Sequence, residues 1–295
     1  MSGFRSGFVG VIGRPNVGKS TLVNQLVGQK VAIVSDKPQT TRNRIHGIIH
    51  RPNGQVVLVD TPGVHQPLHR LGRYMNRVAH EAAGEVDVIW FLRDATQPRH
   101  PGDEPVAERV RQVKAPVFVV FNKADALDSG GRGRLPTQEE LAQEIPNLAG
   151  VHVISALLGE GVEELLQATL ALLPEGPRYY PEDWISDHPQ EFVAAELIRE
   201  KVLLLTRDEV PHSVAVEIER FSQRPDKPLI DIEATIYVER ESQKPIIIGK
   251  GGSMLKQIGQ LARLDMEAFL GQQVNLKLWV KVKPDWREKE GALQQ

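Results

Sequence analysis

Cysteine is absent from all 295 residues. Disulfides, thiolate metal sites and cysteine nucleophiles are therefore excluded, and the absence fits a cytosolic chain. Apolar runs are short, and none approaches the roughly 18 residues that a membrane-spanning helix requires. The N-terminus, Met1-Ser2-Gly3-Phe4-Arg5, passes into an apolar stretch without the core of a signal peptide, so a cytoplasmic location is expected. There is no internal repeat. Neither sign of charge dominates: the formal net charge is −2, so any affinity for polyanions must be local. A composition of 41% hydrophobic and 25% charged residues supplies a sizeable core. This length predicts about two domains.

What is present begins with Gly13-Arg14-Pro15-Asn16-Val17-Gly18-Lys19-Ser20, a complete phosphate-binding loop. The apolar run at 8–12 reads as a buried strand and the run from Thr21 to Leu26 as a helix, the setting this motif needs. Its glycines let backbone N–H groups converge on phosphate oxygens at a helix N-terminus. Lys19 is expected at the β- and γ-phosphates and Ser20 on Mg²⁺, with Val17 and Thr21 completing the loop's contacts.

Further motifs follow in order. A strand at 55–60 ends in Asp60-Thr61-Pro62-Gly63, so Asp60 is expected in the Mg²⁺ shell and the Gly63 N–H near the γ-phosphate. Another buried run, 117–121, delivers Asn122-Lys123-Ala124-Asp125. A carboxylate at Asp125 accepts two hydrogen bonds from guanine, whereas adenine would leave it unpaired at a cost of about 2 kcal/mol or more. Lys123 is expected to pack its stem over the base. A run at 151–154 leads into Ser155-Ala156, where the Ala156 N–H is placed to donate to guanine O6. Helices are expected at 70–83, 104–113, 137–145 and 162–173, and a surface loop at 128–134.

These elements resemble the translation-factor-related P-loop GTPases, and the pattern Thr40-Thr41-Arg42 resembles the switch of the Era and tRNA-modification GTPases. The resemblance implies that Thr41 closes on Mg²⁺ and the γ-phosphate, with Thr40 as the alternative. Many GTPases follow the D-x-x-G glycine with a water-orienting glutamine; Val64 stands there instead. Hydrolysis then rests on Mg²⁺, Lys19, Thr41 and backbone donors such as Gly63, or on a group supplied from elsewhere, and slow intrinsic turnover is expected. For Asn16 two readings stay open: a K⁺ ligand, as the resemblance implies, or a turn residue with an unusual backbone angle.

Past a proline-bounded aromatic linker, the second half reads as helix (192–205), two alternating strands, the loop Gly249-Lys250-Gly251-Gly252 between helices, and a strand at 275–283. This order resembles a KH domain of the bacterial type, whose G-x-x-G turn presses on single-stranded RNA. From Lys244 to Glu290, nine Lys or Arg stand against five Asp or Glu. Lys277, Lys281 and Lys283 share one strand face with Trp279, a pattern that a solvated face also explains.

The fold class expected is thus an α/β P-loop GTPase domain with a mostly parallel sheet and helices on both faces (1–175), a linker (176–191) and an α+β KH domain (192–295). Together they resemble the Era family of bacterial GTPases. That resemblance implies a GTP-hydrolysing switch that binds the 3′ end of small-subunit ribosomal RNA and assists small-subunit assembly. Monomeric behaviour is expected, and a peripheral membrane role is a weaker reading of the basic faces. The alternative is an RNA-binding scaffold in which nucleotide is structural and hydrolysis incidental.

Overall fold

The computed structural model describes residues 3–34, 45–60, 86–127, 134–207, 210 and 213–284. The chain divides into two compact units: the first takes in most of the chain up to Asp187, and the second takes in His188 onward together with short segments from earlier in the chain.

The first unit is built on a six-stranded sheet. Its strands are β1 (Arg5–Ile12), β2 (Ile45–Arg51), β3 (Gly54–Asp60), β4 (Val88–Asp94), β5 (Val117–Asn122) and β6 (Leu148–Val153). They lie in the order β2-β3-β1-β4-β5-β6, and only β2 runs antiparallel to its neighbour. Strands β4 and β5 are buried at every position, so both faces of the sheet are covered. Among the described residues, the α-helices of this unit are α1 (Lys19–Val27), α2 (Glu104–Val110), α3 (Gln138–Glu144) and α4 (Val162–Leu172). Thr137 starts α3 with a capping box to Glu140. Thr169 of α4 accepts a 2.9 Å bond from the fully buried Trp90 indole. Strand β4 carries no nucleotide motif, and motif reading did not place it. The helix expected at 70–83 and nearly all of the 128–134 loop lie outside the described residues.

After α4 the chain is tied back to β3. The buried Gln55 side chain accepts from the Tyr179 and Tyr180 N–H groups, at 2.8 and 3.1 Å, and donates to the Tyr180 carbonyl at 2.8 Å. The Ile48 N–H then donates to the Ile185 carbonyl at 2.9 Å.

The second unit comprises α5 (Gln190–Leu205), β7 (Ala215–Gln223), β8 (Leu229–Val238), α6 (Lys244–Ile248), α7 (Ser253–Leu270) and β9 (Gln273–Val282). Helix α5 begins two residues before the stretch the sequence indicates. The sheet order is β7-β8-β9, antiparallel then parallel. Val193, Leu197, Ile232, Ile236, Ile258 and Met266 form part of its core. The charged run Arg199-Glu200-Lys201 is buried within α5. Arg199 pairs with Glu196, and Lys201 with Glu200 and with Asp265 of α7. Lys277 pairs with Glu233 at 3.3 Å and Lys281 with Glu219 at 3.0 Å across the outer sheet face, where Trp279 is exposed. That arrangement accounts for these lysines as a solvated, ion-paired face.

Candidate functional sites

The parallel strands of the first unit bring their C-terminal ends to one edge, where ligands bind in open α/β sheets. Strand β1 leads into the phosphate loop, β3 ends at Asp60 beside Val11, and β5 ends at Asn122 beside Asp94. Two glycines shape the loop. A Cβ on Gly13 would stand 2.6 Å from the Leu92 carbonyl oxygen. Gly18 adopts φ 97° at the N-cap of α1, and a Cβ there would overlap the Asn122 amide. Lys19 is buried, and its ammonium donates to the Gly13 and Arg14 carbonyls at 3.1 and 3.0 Å, curled inside the loop that it closes. Ser20 and Thr21 form the next two positions of α1. Asn16 sits at φ 65°.

The base-reading motif is held against that loop. The buried Asn122 amide donates to the Val17 carbonyl at 2.8 Å and accepts from the Ala156 N–H at 2.9 Å. A bond from Ala156 to guanine O6 would therefore share an N–H already in use. The Ser155 hydroxyl donates to the exposed Asp125 carboxylate at 2.5 Å, orienting the group expected to read guanine. Lys123 adopts φ 70°, a left-handed conformation uncommon outside glycine, and its ammonium reaches Asp94 at 2.7 Å.

Gly13, Asn16, Val17, Gly18, Lys19, Ser20 and Thr21 thus gather with Asn122, Lys123, Asp125, Ser155 and Ala156 along one sheet edge. The Asp60 backbone ends β3 at that edge, though its side chain is outside the description. Thr40, Thr41, Thr61, Gly63 and Val64 also lie outside the described residues. Asp94, which ends β4 at the same edge, belongs to none of the motifs. The available signal was an apolar run, Val88 to Leu92, that ends two residues later in an acid, as β3 ends in Asp60.

In the second unit, Gly249, Gly251 and Gly252 adopt φ 73°, 60° and 80° around the exposed Lys250. A Cβ on Gly249 would lie 2.7 Å from the Met254 backbone nitrogen, whereas Gly251 and Gly252 face open space. The turn opens onto a cleft of about 400 Å³ lined by Gly252, Leu255, Lys256, Gly259, Arg263 and Leu278, among others. Its floor is apolar and its rim carries two cations. Gly259 leaves α7 without a side chain there. Its signal in the sequence is the spacing of Lys256, Gly259 and Arg263 along one helix face.

Comparisons with known proteins follow the same division. A family model described as a 50S ribosome-binding GTPase matches residues 8–123, and a KH domain model matches 209–287. The chain is 48% identical to the GTPase Era of Staphylococcus haemolyticus over 295 residues, which span all of this chain and 97% of that protein. It is similar to a crystal structure of an Aquifex aeolicus Era variant bound to GDP and AlF₄⁻, with TM-score 0.92, 42% identity, and coverage of 99% of this chain and 98% of that one. A crystal structure of Era with MgGDPNP and nucleotides 1506–1542 of 16S ribosomal RNA matches with the same values. The chain belongs to the Era family of GTPases.

Proposed function

We propose that this GTPase binds the 3′-terminal segment of small-subunit ribosomal RNA in the cleft beside Gly249–Gly252 and acts as a nucleotide-controlled factor in small-subunit assembly. The observation that carries the reading is the cleft itself. An exposed glycine turn gives phosphates access to backbone, and an apolar floor between Lys256 and Arg263 suits unstacked bases. The Era structure with the 16S fragment, 42% identical to this chain, supports the choice of RNA.

On this reading GTP lies along the sheet edge, with Lys19 at its phosphates and Asp125 at guanine. Mg²⁺ draws most of its ligands from phosphate and water. Ser20, which directly follows the loop lysine, and Asp60, at the end of the neighbouring strand, fit such an ion, with Thr41 joining them. When bound, Mg²⁺ neutralises developing phosphate charge. The left-handed φ of Asn16 is one that asparagine tolerates locally, so the turn reading explains its conformation. A K⁺ role for Asn16 is a separate proposal.

The test is titration of a labelled oligonucleotide matching the ribosomal 3′ end against protein loaded with GDP or GDPNP, paired with GTP hydrolysis in K⁺ and in Na⁺. Tighter RNA binding in one nucleotide state, and hydrolysis stimulated by RNA, are expected, because any coupling is reciprocal. Equal affinity in both states with no stimulation overturns the switch and favours a scaffold. Equal hydrolysis in K⁺ and Na⁺ removes K⁺.

A further inference from the structure

Asp94 belongs to no nucleotide motif, yet it lies between the two loops of the nucleotide site. It ends β4 in register with Asn122, and it is almost wholly buried. One carboxylate oxygen accepts from the Thr96 N–H at 2.9 Å and the Thr96 hydroxyl at 2.6 Å. The other accepts from the Lys123 ammonium at 2.7 Å and lies 3.7 Å from the Arg14 guanidinium. Arg14 in turn sits 3.3 Å from the buried Asp103 carboxylate and donates to Gln97 at 3.3 Å. Burial pushes the Asp94 carboxyl upward, but the hydrogen bonds from Lys123 and Thr96 outweigh it and hold the group below the usual carboxylate range. Asp94 is therefore an anion at neutral pH.

The consequence falls on Lys123. Its backbone is in the left-handed region, and such strain persists only where surrounding contacts determine it. The Ala95 N–H fixes the Asn122 carbonyl at 2.8 Å, and the Ala124 N–H is fixed on the Ile154 carbonyl at 3.0 Å. With its ammonium tied to Asp94, the lysine stem stretches from the end of β5 to the end of β4. This leaves a methylene surface across the sheet edge, beside Asn122 and Asp125. A lysine without that anchor would have its four-carbon stem free to rotate, and ordering it on binding would consume affinity.

We propose that Asp94 is a positioning residue of the nucleotide site: it anchors Lys123 so that the lysine stem forms a platform for the guanine ring, and through Arg14 it keeps that platform in register with the phosphate loop. Thr96 orients Asp94, and Asp94 acts only through Lys123 and Arg14. The assignment rests on the guanine site described above.

The experiment is a double-mutant cycle read by titration with fluorescent GDP. Asp94→Asn keeps the shape, removes the charge, and is expected to weaken GDP binding about tenfold. Lys123→Ala weakens it as well. The double variant should bind within about twofold of Lys123→Ala alone, since residues acting through one another are not additive. If Asp94→Asn fails to fold, Thr96→Val, which loosens the carboxylate but leaves its charge, is carried through the same cycle. The proposal is overturned by wild-type affinity in the Asp94 variant, or by an equal fold-loss with and without Lys123. A wild-type protein that does not prefer GDP over ADP overturns the guanine site itself; selective wild-type binding with a silent Asp94 variant removes the Asp94 assignment alone.

Discussion

Asn122 and Val17 stand 105 positions apart, and a buried 2.8 Å hydrogen bond joins them. The same side chain takes the Ala156 N–H, so one amide fastens three loops of the nucleotide site to each other. Replacing it by alanine leaves a carbonyl and an N–H buried without partners. Asn122→Ala is expected to lower unfolding free energy by about 2–6 kcal/mol, from about 1–3 kcal/mol for each of the two orphaned groups. GDP affinity should fall more than about tenfold, a change of about 1.4 kcal/mol. Urea denaturation and GDP titration check the two effects separately.

Gln55 makes three bonds to the backbone of Tyr179 and Tyr180 from a fully buried site. Gln55→Leu removes those three bonds, and a loss of about 2–3 kcal/mol is expected. Lys281→Ala, at an exposed ion pair, should leave the urea midpoint close to that of wild type. A comparable loss for both in urea would contradict the assignment.

Gly249 and Gly259 should respond to alanine with opposite signs. At Gly249 the left-handed φ and the Met254 backbone 2.7 Å from a new Cβ make Gly249→Ala destabilising. At Gly259 the nearest atom is the Leu278 side chain at 3.4 Å, an ordinary contact, and helix interiors favour alanine over glycine by about 1 kcal/mol. Gly259→Ala should therefore raise the thermal midpoint while weakening RNA binding, because its methyl narrows the cleft. Unchanged RNA affinity in that variant argues against the cleft as the RNA site.

His152 packs edge-on against Phe118 at a centroid distance of 5.0 Å, and burial pushes its imidazole below the usual histidine range. The unfolded chain then binds the proton first. Stability from this group is fully present above about pH 6.5 and is lost as pH falls from there through the folded value. His152→Gln should flatten that part of the stability–pH profile, measured by urea midpoints between about pH 5 and 7.

The phosphate loop, the strand before it and the base-reading tetrad were legible because each couples a short motif to an apolar run, and the structure places them on β1, β5 and the turn after β6. Helices α2, α3 and α4 were legible from periodicity within a few residues. Three features were not. Asp94 ends a strand with no motif of its own. Gln55 resembles any polar residue at the start of a strand. The cleft of the second unit depends on α7 and β9 lying side by side.

The sequence by itself determined where the glycine-shaped loops lie, since backbone geometry at Gly13, Gly18 and Gly249 tolerates no side chain and local spacing carries that information. Tertiary structure alone decided what holds those residues still. The bonds from Asn122 to Val17 and from Lys123 to Asp94 cross parallel strands whose order, β3-β1-β4-β5, is not their order along the chain. Such pairings come from burying both faces of a sheet, a requirement that acts on the whole unit and leaves no local pattern to read.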